Sequence, residues 1–312
     1  MNKIDILSCT DSTFVIPLGV MFYSICANAQ NCQFCFHVIV DKSVTDKQKK
    51  QLAQTVKNKG ITIFYEITEE TIGIKLPVVS YKFPISIYYR LLMAKILPPT
   101  IDKVLYLDAD IIVRHDLSEL WKTNIDNYAI AAVVNQSNAF NYWNRLDYPR
   151  SNGYINSGVI LVNLAYWRTH FITEQFLECI STYKDTLYYP DQDVINRVLN
   201  DKIFILKETY NTQEAFFKEV RDDIACETPN GVDMAIKDPC VLHYTGVKPW
   251  ELLCQHPLLK EYYKYKRKSL WKDNIYMETK WFKSFRIFKN EIRRILFSIV
   301  GKKVIYKNIN IQ

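Results

Sequence analysis

Two carboxylates, Asp108 and Asp110, interrupt an apolar segment that runs from Lys103 to Val113, KVLYLDADIIV. In an extended strand, residues i and i+2 point to the same side, so an extended Asp-Ala-Asp would aim both carboxylates at one point. Two carboxylates that close repel each other unless a cation lies between them. Oxygen ligands suit Mg²⁺ or Mn²⁺, and an added imidazole shifts the preference toward Mn²⁺. The apolar setting therefore favours half of a divalent-metal site over a pair of surface charges.

A second segment, VLHYTGVKPW, ends an apolar run with polar residues that could serve the same ion. His243 at the strand end could complete the metal shell, Gly246 permits close backbone approach to a phosphate, and Lys248 supplies a positive charge. The plain alternatives are a hydrogen-bonded structural histidine and a surface lysine. A diphosphate held by such a metal becomes a stabilised leaving group, so the two segments together favour a reaction of a nucleotide sugar.

Two further segments carry polar residues where regular elements begin. YPDQDVIN places Asp191, Gln192 and Asp193 at a helix start, where acidic residues are ordinary caps. YINSGVILVN places Asn156 at the mouth of a strand, where a turn-forming role is the alternative. Propensity alone assigns these residues no chemistry.

The segments that must position these residues alternate between strand and helix patterns. The strand-like runs are IDILSC, FCFHVIV, ITIFYEI, KVLYLDADIIV, AIAAVV, SGVILVNL, KIFILK and CVLHYTG. The helix-like runs are PLGVMFYSICANA, TDKQKKQLAQTVKNKG, SIYYRLLMAKIL (Ser86–Leu97), YWRTHFITEQFLECISTY and DQDVINRVLN. In the second helix, Thr45 is the expected N-cap of a capping box with Gln48, and Gly60 is the expected stop. The order predicts an α/β domain whose parallel sheet is covered by helices, with ligands at the carboxyl ends of the strands.

Charge divides the chain into a main domain, residues 1–263, and a tail, residues 264–312. The tail has 14 Lys and Arg but only three acids, whereas the main domain has 26 basic and 30 acidic residues. A hydrophobic fraction of 48% and an aromatic fraction of 14%, with 8 Gly and 11 Pro, argue against a disordered or fibrous protein. Because the basic residues are concentrated in the tail and the main domain is acidic, we expect no nucleic-acid partner.

The tail segment WFKSFRIFKNEIRRILFSIV predicts an amphipathic helix. Its apolar face is formed by Trp281, Phe285, Phe288, Ile292, Leu296 and Ile299. Basic and aromatic residues on such a helix are typical of a segment that binds an anionic membrane surface, and the alternative is a helix packed on the main domain.

Nothing in the sequence predicts export or a membrane span. The start lacks the apolar core and cleavage site of a secretory signal, and no stretch approaches ~18 apolar residues. The eight scattered cysteines fit reduced thiols in a cytoplasmic protein, and the single C-x-x-C, Cys32 and Cys35, lacks a second pair for zinc.

In order and spacing, the motifs CTDSTF, KVLYLDADIIV, INSGVILVN, YPDQDVIN and HYTGVKPW resemble those of the retaining glycosyltransferases of family eight. The resemblance covers roughly residues 3 to 260. Within the family, the chain is similar to bacterial galactosyl- and glucosyltransferases that extend the core of lipopolysaccharide or lipooligosaccharide. It implies a single Rossmann-like nucleotide-binding domain of GT-A type, with a mixed, mostly parallel sheet and a basic helical tail.

The resemblance also implies a role for each motif residue. The metal ligands would be Asp108, Asp110 and His243, holding Mn²⁺, or Mg²⁺, on the diphosphate of a UDP-hexose. The nucleotide and diphosphate would be bound by Cys9, Asp11, Thr13, Phe14, Arg90, Ala109, Gly246 and Lys248. The transferred sugar would be surrounded by Asn156, Asp191, Gln192 and Asp193. Relatives carry an aspartate where this chain has Asn135, which puts any carboxylate role there in doubt.

The resemblance leaves several questions open. Gln192 matches a proposed nucleophile, whereas the rival mechanism has the acceptor hydroxyl attack on the face from which UDP departs. The expected acceptor is a lipid-linked core oligosaccharide, with a protein or another cell-surface glycan as the alternative. The donor sugar is glucose or galactose. The expected location is the cytoplasmic face of the inner membrane, bound peripherally through the tail.

Overall fold

The computed structural model describes residues 2–68, 85–136, 142–218, 231–251 and 254–274. The strands are β1 (Asn2–Thr10), β2 (Cys32–Val40), β3 (Gly60–Glu66), β4 (Lys103–Leu107), β5 (Ile111–Val113), β6 (Ile130–Val134), β7 (Ile155–Asn163), β8 (Ile203–Ile205), β9 (Thr212–Gln213) and β10 (Val241–His243). The α-helices are α1 (Val15–Asn28), α2 (Asp46–Val56), α3 (Met93–Ile96), α4 (Ser118–Trp121), α5 (Tyr142–Arg145), α6 (Leu164–Thr169), α7 (Ile172–Tyr183), α8 (Pro190–Leu199), α9 (Val232–Lys237) and α10 (Leu259–Lys268). Short 3₁₀ helices cover Ile85–Leu92, Arg150–Asn152, Glu208–Tyr210 and Glu214–Phe217.

A seven-stranded sheet forms the centre of the protein, with a hydrophobic cluster on each of its faces. The strand order is β3-β2-β1-β4-β7-β6-β8, and β7 is the strand that runs antiparallel to both of its neighbours. The predicted mixed, mostly parallel sheet is confirmed. Because β7 is reversed, its amino-terminal residues lie at the edge where β1, β4 and β6 end.

The segment KVLYLDADIIV does not form the single strand that its apolar pattern predicted. β4 belongs to the large sheet, whereas β5 pairs with β10 in a small sheet of order β5-β10-β9. Residues 108–110 form a turn between the two sheets. This turn is held at both ends, because the Asp108 N–H donates to Gly158 O (2.9 Å) and the Tyr244 N–H donates to Asp110 O (3.1 Å).

Three helix predictions need correction. The run from Ser86 to Leu97 forms a 3₁₀ helix followed by the short α3. The run from Tyr166 to Tyr183 is broken between α6 and α7 at Phe171, whose φ of 54° lies in the left-handed region. Gly60 does not end α2 but begins β3, where a Cβ would lie 2.0 Å from Phe34 O. The predicted capping box of Thr45 and Gln48 is present.

The first residues of the basic tail pack on the main domain. α10 spans the boundary expected at residue 264, and the Trp271 ring is 1% exposed. Its indole N–H donates to Thr55 Oγ1 (3.1 Å), and the ring lies so close to Gly19 that a Cβ there would be 2.0 Å away. The packing on the main domain therefore continues beyond residue 264, through α10 to Trp271. The predicted helix from Trp281 to Ile299 lies outside the described residues.

Within the described ranges, no helix has the length and apolar character needed to cross a membrane.

Candidate active site

The turn after β4 and the end of β10 bring three potential metal ligands together. One ligand atom from each of Asp108, Asp110 and His243 lies within 4.8 Å of the others. His243 Nε2 is 3.3 Å from an Asp110 oxygen and 3.9 Å from an Asp108 oxygen. The two carboxylates converge because the turn brings them together, and not because alternate strand residues share a face. Two carboxylates and an imidazole fit Mn²⁺, which accepts both oxygen and nitrogen ligands.

Gly158 in β7 makes room for this cluster. A Cβ at Gly158 would lie 2.2 Å from His243 Cε1 and 2.7 Å from Asp108 Oδ2. Any side chain there would therefore displace two of the three potential ligands. The sequence contained this signal, because the glycine interrupts a β-branched strand, where glycine often marks a close approach.

Lys248 lies against the same cluster. Its ammonium pairs with the Asp110 carboxylate and donates to Tyr244 O (2.8 Å). Burial alone would raise the pKa of Asp110, but Lys248 and His243 outweigh it and hold that pKa well below its usual range. Gly246, two residues earlier, lies against a different carboxylate, because a Cβ there would meet Glu214 Oε2 at 1.5 Å.

Arg90 links the metal cluster to the residues of α8. Its guanidinium is 2.9 Å from Asp108 Oδ1 and 3.1 Å from Asp191 Oδ2, and it donates to Ser157 O at 3.1 Å. It also lies 4.5 Å from the centre of the Tyr106 ring. Burial would lower the pKa of Arg90, but the two carboxylates raise it well above its usual value. The side chain is therefore a permanently charged bridge at the edge of the sheet.

Asn156, Asp191 and Gln192 meet on the other side of Arg90. Gln192 Oε1 accepts from Ser157 N (3.1 Å) and Asn156 Nδ2 (3.2 Å), and the Ser157 hydroxyl oxygen lies 3.4 Å away. The Ser157 hydroxyl donates to Asp191 Oδ2 at 2.9 Å, and burial raises the pKa of Asp191 although Arg90 opposes that effect. The oxygen that a nucleophilic Gln192 would use is thus already engaged by two N–H donors, Ser157 N and Asn156 Nδ2.

One cavity of about 380 Å³ contains most of the predicted site residues. Its lining includes Arg90, Asp108, Asp110, Asn156, Asp191, Gln192, His243, Gly246 and Lys248. The carboxyl ends of β4 and β10 and the amino ends of β7 and α8 converge on it. The sequence did not single out several other residues that line it, among them Ser157, Gln213, Glu214 and Lys218. Gln213, Glu214 and Lys218 belong to no motif, because they come from the short β9, a 3₁₀ helix and the residue that follows it, which pattern analysis does not detect. Ser157 stands beside Asn156 in the motif INSGVILVN, but the sequence assigned it no role.

Asp193 does not line this cavity, although it stands beside Gln192 in the sequence. Its side chain is fully buried, and Arg145 Nη2 and the Tyr154 hydroxyl donate to it at 2.9 and 2.6 Å. The N–H groups of Tyr188 and Tyr189 donate to it as well. Successive residues of an α-helix are rotated by about 100° around its axis. Asp191 and Asp193, two positions apart, therefore point in nearly opposite directions and face different surroundings. Asp193 therefore anchors the start of α8 to α5.

Four of the residues expected to bind the nucleotide lie at the end of β1 or just after it: Cys9, Asp11, Thr13 and Phe14. Asp11 forms a turn in which its carboxylate accepts from Thr13 N (2.9 Å), and Phe14 caps α1 while its ring lies 6.0 Å from that of Trp250. Burial raises the pKa of the Cys9 thiol to about 12, so this thiol is neutral. Ala109 is buried in the hydrophobic core.

A second group of potential ligands, Asp5, Cys35 and His37, lies on β1 and β2, away from the cavity. The Asp5 carboxylate already pairs with Lys3 at 3.0 Å. His37 uses both ring nitrogens, one with Asp5 (3.0 Å) and one with the Tyr65 hydroxyl (2.9 Å). This group is satisfied by its own hydrogen bonds and a lysine.

Comparison with known proteins gives concordant results. The model of the family described as "Glycosyl transferase family 8" matches residues 5–254. Lipopolysaccharide 1,2-glucosyltransferase of Escherichia coli (strain K12) is 30% identical over 295 residues, which cover 92% of this chain and 83% of that protein. General stress protein A of Bacillus subtilis (strain 168) is 28% identical over 273 residues, covering 85% and 94% respectively. A crystal structure of galactosyltransferase LgtC with donor and acceptor sugar analogs has a TM-score of 0.75 at 24% identity, over 86% of this chain and 96% of that one. That likeness confirms the predicted fold.

Proposed function

The chain belongs to glycosyl transferase family 8, and we propose that this glycosyltransferase moves glucose or galactose from a UDP-sugar to a core oligosaccharide of lipopolysaccharide or lipooligosaccharide. The new bond would be an α-linkage formed with retention. The observation that carries the proposal is the convergence, in one cavity, of the Asp108–Asp110–His243 cluster with Arg90, Asp191 and Gln192. The name of the Escherichia coli relative supports glucose and a lipopolysaccharide acceptor, and the name of LgtC supports galactose.

Asp108, Asp110 and His243 would hold a divalent ion against the donor diphosphate. When bound, that ion supplies Lewis-acid stabilisation of the departing UDP. Lys248 adds a second positive charge within reach of the diphosphate. The neutral Cys9, the turn at Asp11 and the partly buried Phe14 ring would bind the uridine at the end of β1.

Arg90, Asp191 and Gln192 would orient the hexose. Arg90 is fixed by carboxylates on both sides, so it can donate to the sugar without moving. Because the Gln192 oxygen is engaged by two N–H donors, the arrangement supports attack by the acceptor hydroxyl on the face from which UDP departs, with the leaving phosphate taking the proton.

The test is a screen of UDP-sugars with Mn²⁺ present, in which UDP release is measured with and without a core oligosaccharide. UDP-glucose or UDP-galactose should be the preferred donor, and Asp108→Asn should abolish Mn²⁺-dependent release. Asp147→Asn is the matched control, because that carboxylate is 85% exposed. Unchanged Mn²⁺-dependent release in Asp108→Asn would refute the metal assignment. A mass increase of the enzyme with UDP-glucose alone would replace the oligosaccharide acceptor with a protein.

We also propose that residues 275–312 bind the cytoplasmic face of the membrane. The net charge of the basic tail supports this, since clustered cations gain ~1 kcal/mol each at an anionic surface. Truncation should follow residue 274, because Trp271 belongs to the core. The truncated enzyme should lose binding to anionic vesicles and keep activity on a soluble acceptor. Undiminished vesicle binding would rule out the tail as the anchor.

A further inference from the structure

Four buried side chains form a continuous hydrogen-bonded chain from the metal cluster to the sugar side of the cavity. His243 Nδ1 is 2.9 Å from Asn211 Oδ1, and Asn211 Nδ2 is 2.8 Å from Asn156 Oδ1. Asn156 Nδ2 is 3.2 Å from Gln192 Oε1. None of the four is more than 8% exposed, and Asn211 is fully buried. Asn211 belongs to none of the sequence motifs.

Two backbone groups fix the direction of this chain. A backbone N–H can only donate, so the atom it contacts must be an oxygen acceptor. Gly158 N lies 3.0 Å from Asn156 Oδ1, and Ser157 N lies 3.1 Å from Gln192 Oε1. Asn156 therefore presents its oxygen to Asn211 and its nitrogen to Gln192. Neither amide can be reversed without leaving a buried backbone donor unsatisfied, at a cost of ~1–3 kcal/mol.

The fixed amide of Asn156 determines how Asn211 must lie. Since Asn156 presents an oxygen, Asn211 must direct its NH₂ group toward it. The Asn211 oxygen is then left facing His243 Nδ1, and an oxygen acceptor requires a proton on that nitrogen. His243 Nε2, which faces Asp108 and Asp110, is consequently free of the proton of a neutral ring.

We infer that Asn211 is a positioning residue that holds the neutral His243 ring in the Nδ1–H tautomer, so that Nε2 is available to a divalent cation. The backbone of β7 thus determines, through Asn156 and Asn211, which nitrogen of a residue in β10 can bind metal. A partner on the other ring nitrogen orients a metal-binding imidazole and raises its basicity. The same chain couples the orientation of Gln192 to that of His243.

The first test measures the proton position directly. Nitrogen-15 NMR of the imidazole in the metal-free protein at alkaline pH should show His243 as the Nδ1–H tautomer. In Asn211→Ala, the Nε2–H form should gain population. The same signal in the parent protein and in Asn211→Ala would overturn the inference, as would an Nε2–H ring in the parent.

The second test measures Mn²⁺ binding by calorimetry without donor. Asn211→Ala should weaken binding by about 10–100-fold, the effect typical of losing such a partner. Asn211→Asp retains an acceptor for Nδ1–H but turns a second oxygen toward Asn156, so it should retain Mn²⁺ affinity and lower kcat. Equal loss of Mn²⁺ binding in both variants would contradict the tautomer argument.

A matched control is Asn163→Ala, because the Asn163 side chain is likewise hydrogen-bonded at both its nitrogen and its oxygen, to Ile125 O, Tyr128 O and Tyr166 N, but in another part of the protein. It should leave Mn²⁺ affinity unchanged, and a loss equal to that of Asn211→Ala would overturn the inference. The inference about metal rests on the proposed role of His243. If His243→Ala bound Mn²⁺ normally, the proposed metal site would fail, while the NMR result would still decide the tautomer.

Discussion

Lys248 lies where its ammonium should oppose the binding of a divalent ion and favour the binding of a diphosphate. In the structure its ammonium pairs with Asp110, a proposed metal ligand, and lies 20% exposed against 11% for the carboxylate. A divalent ion that binds Asp110 must displace or share this contact, whereas a diphosphate that then binds can accept the released ammonium. Lys248→Met removes the charge and keeps most of the apolar stem, so it should have opposite effects on the two ligands.

The size of each effect follows from the contacts. A pair of unit charges 4 Å apart is worth about 1 kcal/mol in bulk water and about 4 kcal/mol near a protein surface. The partial exposure of Lys248 favours the lower part of that range, so Mn²⁺ should bind the donor-free variant about tenfold more tightly, a gain of ~1.4 kcal/mol. Loss of a charge-assisted hydrogen bond to the diphosphate costs ~1.5–3 kcal/mol, which weakens UDP binding by at least about tenfold.

Calorimetric titration can measure the two affinities separately, Mn²⁺ without nucleotide and UDP at saturating Mn²⁺. Lys218→Met is the matched control, because Lys218 lines the same cavity but pairs with Glu214 at 2.9 Å and not with the metal cluster. It should leave Mn²⁺ affinity unchanged. Weaker binding of both ligands to Lys248→Met would refute the competition argument, because it would mean that the lysine only supports the local structure.

Three further predictions concern other contacts. Gly158→Ala should lower Mn²⁺ affinity by more than about tenfold, because its methyl group would collide with the His243 ring. Gly153→Ala is the control: no atom lies close to the added methyl group, but the backbone φ of 72° is unfavourable for alanine. It should cost ~1–2 kcal/mol of stability and leave Mn²⁺ binding unchanged. Asp193→Asn should lower the unfolding free energy by ~3 kcal/mol, measured by urea denaturation, since it leaves a part-buried arginine unpaired. Burial lowers the pKa of His256 from 6.5 to about 4. Between these two values the unfolded state binds more protons than the folded state. The free energy of unfolding should therefore fall by roughly 3 kcal/mol as the pH drops through this interval. Urea denaturation of His256→Asn over the same interval should show a smaller loss.

The sequence predicted the sheet and its long helices because their patterns are continuous. β1, β2, β3 and α1 each have a run of apolar or amphipathic residues long enough to identify them. The errors occurred where tertiary contacts override a pattern. KVLYLDADIIV is apolar throughout, but its chain passes between two sheets at residues 108–110. Both β4 and β5 are buried, and a buried strand has the same composition in either sheet.

The motif residues that line the cavity were predictable because each follows or begins a strand or helix at one edge of the sheet. Arg90 is the exception. It lies within a 3₁₀ helix that the pattern predicted as α-helix, and only the family resemblance identified it. Asn211 was missed because its role depends on a contact with His243 across 32 positions of sequence, and a sequence pattern contains no such distance. Gly158 interrupts a β-branched strand, which is a sign of a close approach, but that sign does not identify His243, 85 positions later, as the group that approaches.

Asp191 and Asp193 show why residue type and position do not determine a role. Both are buried carboxylates in the first turn of α8, each beside an arginine. The arginine of Asp191 also contacts Asp108, so that pair faces the cavity and remains available to a ligand. Asp193 receives donors from α5, from Tyr154 and from two backbone N–H groups, so its lone pairs are used within the protein. A carboxylate whose acceptor oxygens are already occupied cannot also hold a substrate. Asp191 is therefore the residue that would touch the sugar, and Asp193 is the one that positions the start of α8.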